Sequence, residues 1–133
     1  MSISYRSETF SNLEEVWARY KYLVLEHSAS IYQQIRTLLK DKEHEVTHAF
    51  FALIEQALAT PVTLGSVMNA YQHVAGYFKH LASGEEKALL RVSEEALKEN
   101  FENRDKIKAE LLKLATKYEQ TYLLQSFYLY RND

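Results

Sequence analysis

Residues 11–38, SNLEEVWARYKYLVLEHSASIYQQIRTL, decide the fold class. Trp17, Tyr20, Val24, His27, Ile31, Ile35 and Leu38 recur at steps of three and four. That spacing puts side chains on one face of an α-helix. Ser11 followed by Glu14 is a capping-box pattern and predicts the helix start. Within HSAS, Ser28 can end one helix and cap the next, so a break is expected there.

The same reading carries along the chain. Residues 1–10 are expected to form a loose arm, and 11–133 a single helical domain. KDKEHE is a charged connection, and VTHAFFALIEQALA a second helix stopped by Thr60-Pro61. Thr60 as N-cap with Pro61 at the first helical position also predicts the start of a third helix, through GSVMNAYQHVAGYFKHLA. Ser83-Gly84-Glu85-Glu86 repeats the capping-box pattern and opens a fourth, to about Asn100. NFENRD reads as a turn, and the remainder as a final helix or a broken pair. No segment alternates with period two. The expectation is an all-α protein, an antiparallel bundle of about five helices.

Composition narrows the classes of function. The chain has 133 residues, 3 Gly, 1 Pro and 47% hydrophobic residues, as a helical globular domain does. Lys plus Arg total 16 against 18 Asp plus Glu. This balance leaves nucleic acid open as a partner without pointing to it. There are no cysteines, which excludes disulfides, thiol nucleophiles and Fe–S ligation by this chain. The N-terminal stretch has no apolar h-region, and AFFALI, the longest apolar run, is far short of a membrane span. A cytoplasmic protein without a membrane role is expected.

His44-Glu45-Val46-Thr47-His48 matches the HExxH pattern of zinc peptidases. Catalysis there needs a third protein ligand and an open fourth position. Glu55, the same-face residue, lies seven positions past His48, roughly 10 Å along a helix axis and out of reach of one ion. The longer peptidase pattern needs Gly and His where this chain has Phe51 and Ile54. The reading is a solvated helix start that carries two histidines, with no metal site and no cofactor.

The third helix carries a more unusual pattern. Val67, Tyr71, Val74, Phe78 and Leu81 form an apolar stripe expected in the core. Asn69, His73, Gly76 and His80 form a second stripe at the same steps, flanked by Gln72 and Lys79. A solvated face usually carries Glu and Lys. An amide, imidazoles and a glycine instead suggest a place where a ligand or another helix approaches closely. His27 stands out because it falls in the apolar stripe of the first helix. It is either a core histidine satisfied by one hydrogen bond or a tunable group in a pocket. Tyr118, Tyr122, Gln125 and Leu129 share a face near the C-terminus, and ten tyrosines in all offer rim packing or stacking surfaces.

RYKYLVLEHS and NAYQHVAGYFKHLASGEEK resemble segments of the YbgA-like family, an uncharacterised bacterial and archaeal domain. The first similarity rests on Lys21, Tyr22, Leu23, His27 and Ser28. The second rests on Asn69, His73, Gly76, Tyr77, Phe78 and Lys79, then Glu86 and Lys87. TYLLQSFYLY is similar to the family's closing motif at Tyr122, Leu123, Gln125, Tyr128 and Leu129. Family members are often fused to a cysteine-bearing domain similar to thiouracil desulfurases, which hold an Fe–S cluster. The resemblance implies an accessory or binding role beside nucleobase or nucleic-acid chemistry, with a desulfurase-like Fe–S protein as one partner.

Together these readings predict a binding module. His27, Asn69, His73 and Lys79 would line a polar pocket between the first and third helices, with Lys21 and Tyr77 at its edge. The ligand would be a small polar or anionic ring compound, or a partner protein's loop. One alternative is a cofactor-free enzyme using His27 or His73 as general acid–base. The other is a structural homo-oligomer formed through an apolar helix face.

Overall fold

The computed structural model describes residues 12–130 and is all-helical. Among the described residues there are eight α-helices and no strand. Six of them have eleven residues or more: α1 (Leu13–His27), α2 (Ala29–Leu39), α3 (Thr47–Ala59), α4 (Leu64–Ala75), α5 (Gly84–Glu99) and α6 (Arg104–Lys117). Two single turns close the chain, α7 (Thr121–Leu124) and α8 (Phe127–Tyr130). Short 3-10 turns at Gly76–Phe78 and Phe101–Asn103 follow α4 and α5.

Most boundaries sit where the caps predict them. Ser28 ends α1 through its backbone N–H on Val24 and starts α2 by accepting from the Ile31 N–H, so one serine makes the break. Ser83 and Glu86 form a reciprocal capping box at the start of α5. Asn100 caps the 3-10 turn after it. Two starts differ from expectation. Residues 1–11, which include the expected arm and Ser11, lie outside the described residues, and Asn12 caps α1 on the Glu15 N–H at 3.0 Å. Thr60 closes α3 instead of opening α4, with its hydroxyl returned to the Gln56 carbonyl. Thr63 caps α4 in a box with Ser66. Residues 60–63 are a connection, across which the chain turns by 117°.

α1 is the central element, packed by α2, α3, α4 and α8. Tyr22, Leu23, Val24, Leu25 and Glu26 are five consecutive buried residues, so this helix is covered on every side at its second half. A single stripe describes a helix lying on a core, not one surrounded by it. Around it Tyr20, Ile35, Phe50, Ile54, Val67, Tyr71, Val74 and Phe78 are almost fully enclosed. The α4 stripe is in the core as expected except for Leu81, which is 42% exposed because the helix has ended and the chain has turned away. α5 contrasts with α1. Only Leu97 of its sixteen residues is buried, and Leu89 and Val92 face outward. Among the described residues no single helix is long and apolar enough to cross a membrane.

Candidate functional site

Two contacts set the register of α1 against α4. The His27 Nδ1 lies 2.7 Å from the Thr60 carbonyl oxygen, just before α4. The Tyr22 and Tyr77 hydroxyls meet at 2.7 Å, just after it. From Tyr22 to His27 along α1, the contacts on the other side step back from Tyr77 to Thr60. His73, Lys79 and His80 are exposed, and Asn69 is half-buried. Gly76 has a right-handed backbone, and a β-carbon built there would meet nothing within 4 Å. Among the described residues no helix packs closely on it, so of the two expected visitors, a ligand or another helix, the helix is not there. Of the six residues expected to share a pocket, Lys21 and Tyr77 each lie against Tyr22.

What surrounds those two is a cluster of tyrosines. The Tyr77 ring lies edge-on to buried Tyr22, with centroids 6.1 Å apart. On its other side Tyr77 runs nearly parallel to Tyr122, at 6.3 Å and 12°. Tyr122 is 40% exposed. Its position depends on the end of α6. There the Gln120 N–H reaches the Ala115 carbonyl and the Glu119 N–H reaches Thr116, a Schellman turn with Glu119 left-handed at φ 51°. That turn reverses the chain and delivers α7 to the side of Tyr77.

Two cations border the cluster. The Lys21 Nζ stands 5.7 Å from the Tyr22 ring centroid, and the Arg36 guanidinium carbon 6.0 Å from that of Tyr32. Burial, and then the charge of Arg36, push the half-buried Lys21 below the usual lysine range. Burial, and then the hydrogen bond with Tyr77, push the Tyr22 phenol well above its ordinary range. Tyr32 and Tyr122 are also raised, burial first and then Arg36 (which opposes it) and Tyr77 for Tyr32, Tyr77 and Tyr32 for Tyr122. These phenols stay protonated at neutral pH and so keep an O–H that can donate.

The chain belongs to the family described as "protein of unknown function (DUF1722)". That family's model matches residues 21–131. No curated protein and no solved structure matches the chain. The family span takes in Lys21, Tyr22, Tyr32, Arg36, Tyr77 and Tyr122, so the whole cluster is built within it.

Two other places compete for attention. A cleft of 370 Å³ between α5 and α6 has an apolar floor of Leu89, Leu90, Ile107, Leu111 and Leu114. Two of its polar groups, Tyr71 and Glu86, are bonded within the protein. The Tyr71 hydroxyl donates to the Leu90 carbonyl at 2.9 Å. Glu86 serves the α5 cap and accepts from Lys117 at 2.6 Å and Tyr118 at 2.5 Å. Those bonds hold its carboxyl down at about 2.

The second is a buried charge cluster that the sequence reading passed over. Glu26 and Lys108, 3% and 6% exposed at the side chain, pair at 2.8 Å. The Lys108 ammonium also sits 4.3 Å from the centroid of buried Tyr128, and the Arg104 Nε lies 3.9 Å from the second Glu26 oxygen. This cluster joins α1, α6 and α8. Its one early signal was an acid inside the apolar run YLVLEH.

The HEVTH segment is not one helical face. α3 begins at Thr47, and His44 lies before it with Nδ1 on Asp41 at 2.8 Å. The Glu45 carboxylate accepts from the Thr47 N–H at 2.7 Å, as part of the helix start. Among the described residues no group of three His, Asp or Glu is arranged to hold a metal ion.

Proposed function

We propose that this chain is a helical binding module whose recognition surface is the Tyr22–Tyr77–Tyr122 face, and that its ligand is a small anionic ring compound of the nucleobase type. The observation that carries the reading is the near-parallel Tyr77–Tyr122 pair, 40% open at Tyr122, beside Lys21 and Arg36. Exposed tyrosine faces stack on planar rings whatever their substituents, and each such contact contributes about 1–3 kcal/mol. The family resemblance adds the setting, an accessory role beside nucleobase chemistry carried out by a desulfurase-like partner. We take the six longer helices to act as one antiparallel scaffold that holds α7 against α4.

Calorimetric titration with uridine and adenosine tests this reading. Binding to the wild type and its loss in Tyr122→Ala, with the melting temperature little changed, is the expected result. Binding that survives the substitution, or no binding of either nucleoside, refutes the tyrosine face as the site.

A further inference from the structure

We infer that Lys21 and Arg36 form an anion subsite at the end of the tyrosine face, and that the ligand is a nucleoside monophosphate with its ring on Tyr77–Tyr122 and its phosphate between the two cations. The inference rests on the tyrosine-face reading and names its ligand.

Most lysines that pair in this chain do so with a carboxylate. Lys42 pairs with Glu14, Lys98 with Glu95, Lys117 with Glu86, and Lys108 with Glu26. Lys21 is half-buried, yet among the described residues no carboxylate lies within ion-pair distance of it or of Arg36. Each cation lies instead over a tyrosine ring. The charge felt by Lys21 is that of Arg36, a like charge. Two cations held together without an acid repel each other, and an anion between them relieves that repulsion.

Hydroxyl groups point the same way. Among the described residues, Tyr32 and Tyr122 make no hydrogen bond through their hydroxyls, whereas Tyr22 and Tyr77 bond to each other. Burial and neighbouring groups keep both free phenols protonated, and so able to donate. Among the described residues, no carboxylate contributes to the shifts of Tyr22, Tyr32, Tyr122 or Lys21. The patch therefore offers two positive charges, two unused donors and an open ring face. A carboxylate would neutralise one of the charges. A phosphate monoester carries about −1.5 to −2 charge at neutral pH with three acceptor oxygens, and matches both.

The test compares uridine, its 5′-monophosphate and inorganic phosphate by calorimetry on the full chain, in wild type and Arg36→Gln. Arg36 is exposed, so the variant keeps the fold. The inference predicts that the monophosphate binds at least about tenfold more tightly than uridine. That advantage shrinks as salt is raised, falls to about threefold or less in Arg36→Gln, and inorganic phosphate competes for the site. Lys21→Gln, checked for folding by circular dichroism, loses the advantage in the same way. Equal affinity for uridine and its monophosphate overturns the anion subsite and leaves the stacking face standing. A monophosphate advantage unchanged in Arg36→Gln also overturns the subsite. No binding of any of the three overturns both readings.

Discussion

Lys21 and Glu26 lie five residues apart on α1 and meet opposite surroundings. Glu26 is enclosed by its own chain, with Lys108 on one oxygen, Arg104 near the other, and Tyr128 beneath the ammonium. Lys21 is half-buried about a turn and a half earlier on the helix, with a second cation for company. At Glu26 the charges cancel within the fold, and the group ties three helices together. At Lys21 they do not cancel, and the imbalance faces solvent beside an open aromatic ring. The difference separates charge that holds the structure from charge left for something else.

The largest effect expected from this comparison is at the buried pair. Glu26→Ala leaves Lys108 enclosed without a counter-charge and costs about 3–5 kcal/mol, read by urea unfolding. The double variant Glu26→Leu, Lys108→Met removes both charges and regains most of that loss. A single variant that costs less than about 1 kcal/mol would mean that the pair does not hold α1 to α6 and α8.

A smaller effect tests how Tyr122 is placed. Glu119 pays for its left-handed backbone where glycine is the usual occupant, so Glu119→Gly stabilises by about 1 kcal/mol and keeps α7 in position. Destabilisation would show that the Glu119 side chain supports the turn in another way.

Glu86 provides a third kind of charge, held at the surface by Lys117, Tyr118 and the α5 cap. Its folded pKa of about 2 lies below the ordinary 4.5. Its contribution to stability is therefore complete above that ordinary value and is lost as the pH falls toward 2. Unfolding measured from pH 5 to pH 2 should lose stability less steeply in Glu86→Gln than in wild type. Identical acid profiles would show that these hydrogen bonds do not hold the carboxylate in solution.

The smallest change in stability is expected at the cation pair. Arg36→Gln should alter the unfolding free energy by no more than about 0.5 kcal/mol, and in the stabilising direction, because it removes a like-charge repulsion. A clear loss of stability would place Arg36 among the structural charges and close the gap between the two regions.

These regions differ in how far they could be read in advance. Helix ends were legible because caps are local: Ser28, Ser83 and Asn100 act within three residues of themselves. The start of α4 was misplaced because Thr60-Pro61 and Thr63 offer competing caps, and the Thr63–Ser66 box is the one the chain uses. The centre of the fold was less legible. A periodic stripe on α1 gives no sign that four neighbours cover the helix, so it does not predict the burial of Tyr22 and Glu26. Glu26 and Lys108 are 82 positions apart, and Tyr22 and Tyr77 are 55 apart. Nothing in either neighbourhood announces the other. His27 was marked as a group satisfied by one hydrogen bond or held in a pocket, and the Thr60 carbonyl is its partner. Lys21 and Tyr77 stand out in the sequence through the family resemblance, but Tyr32, Arg36 and Tyr122 join them only through the folded topology.

Nuclear magnetic resonance of ring-labelled tyrosine during titration with uridine 5′-monophosphate tests the central claim most directly. The tyrosine face predicts saturable shifts at Tyr77 and Tyr122, with smaller ones at Tyr22 and Tyr32 and none at Tyr118 or Tyr128. Shifts confined to Tyr71 and Tyr118 would move the site to the α5–α6 cleft, and unmoved tyrosines throughout would contradict the account.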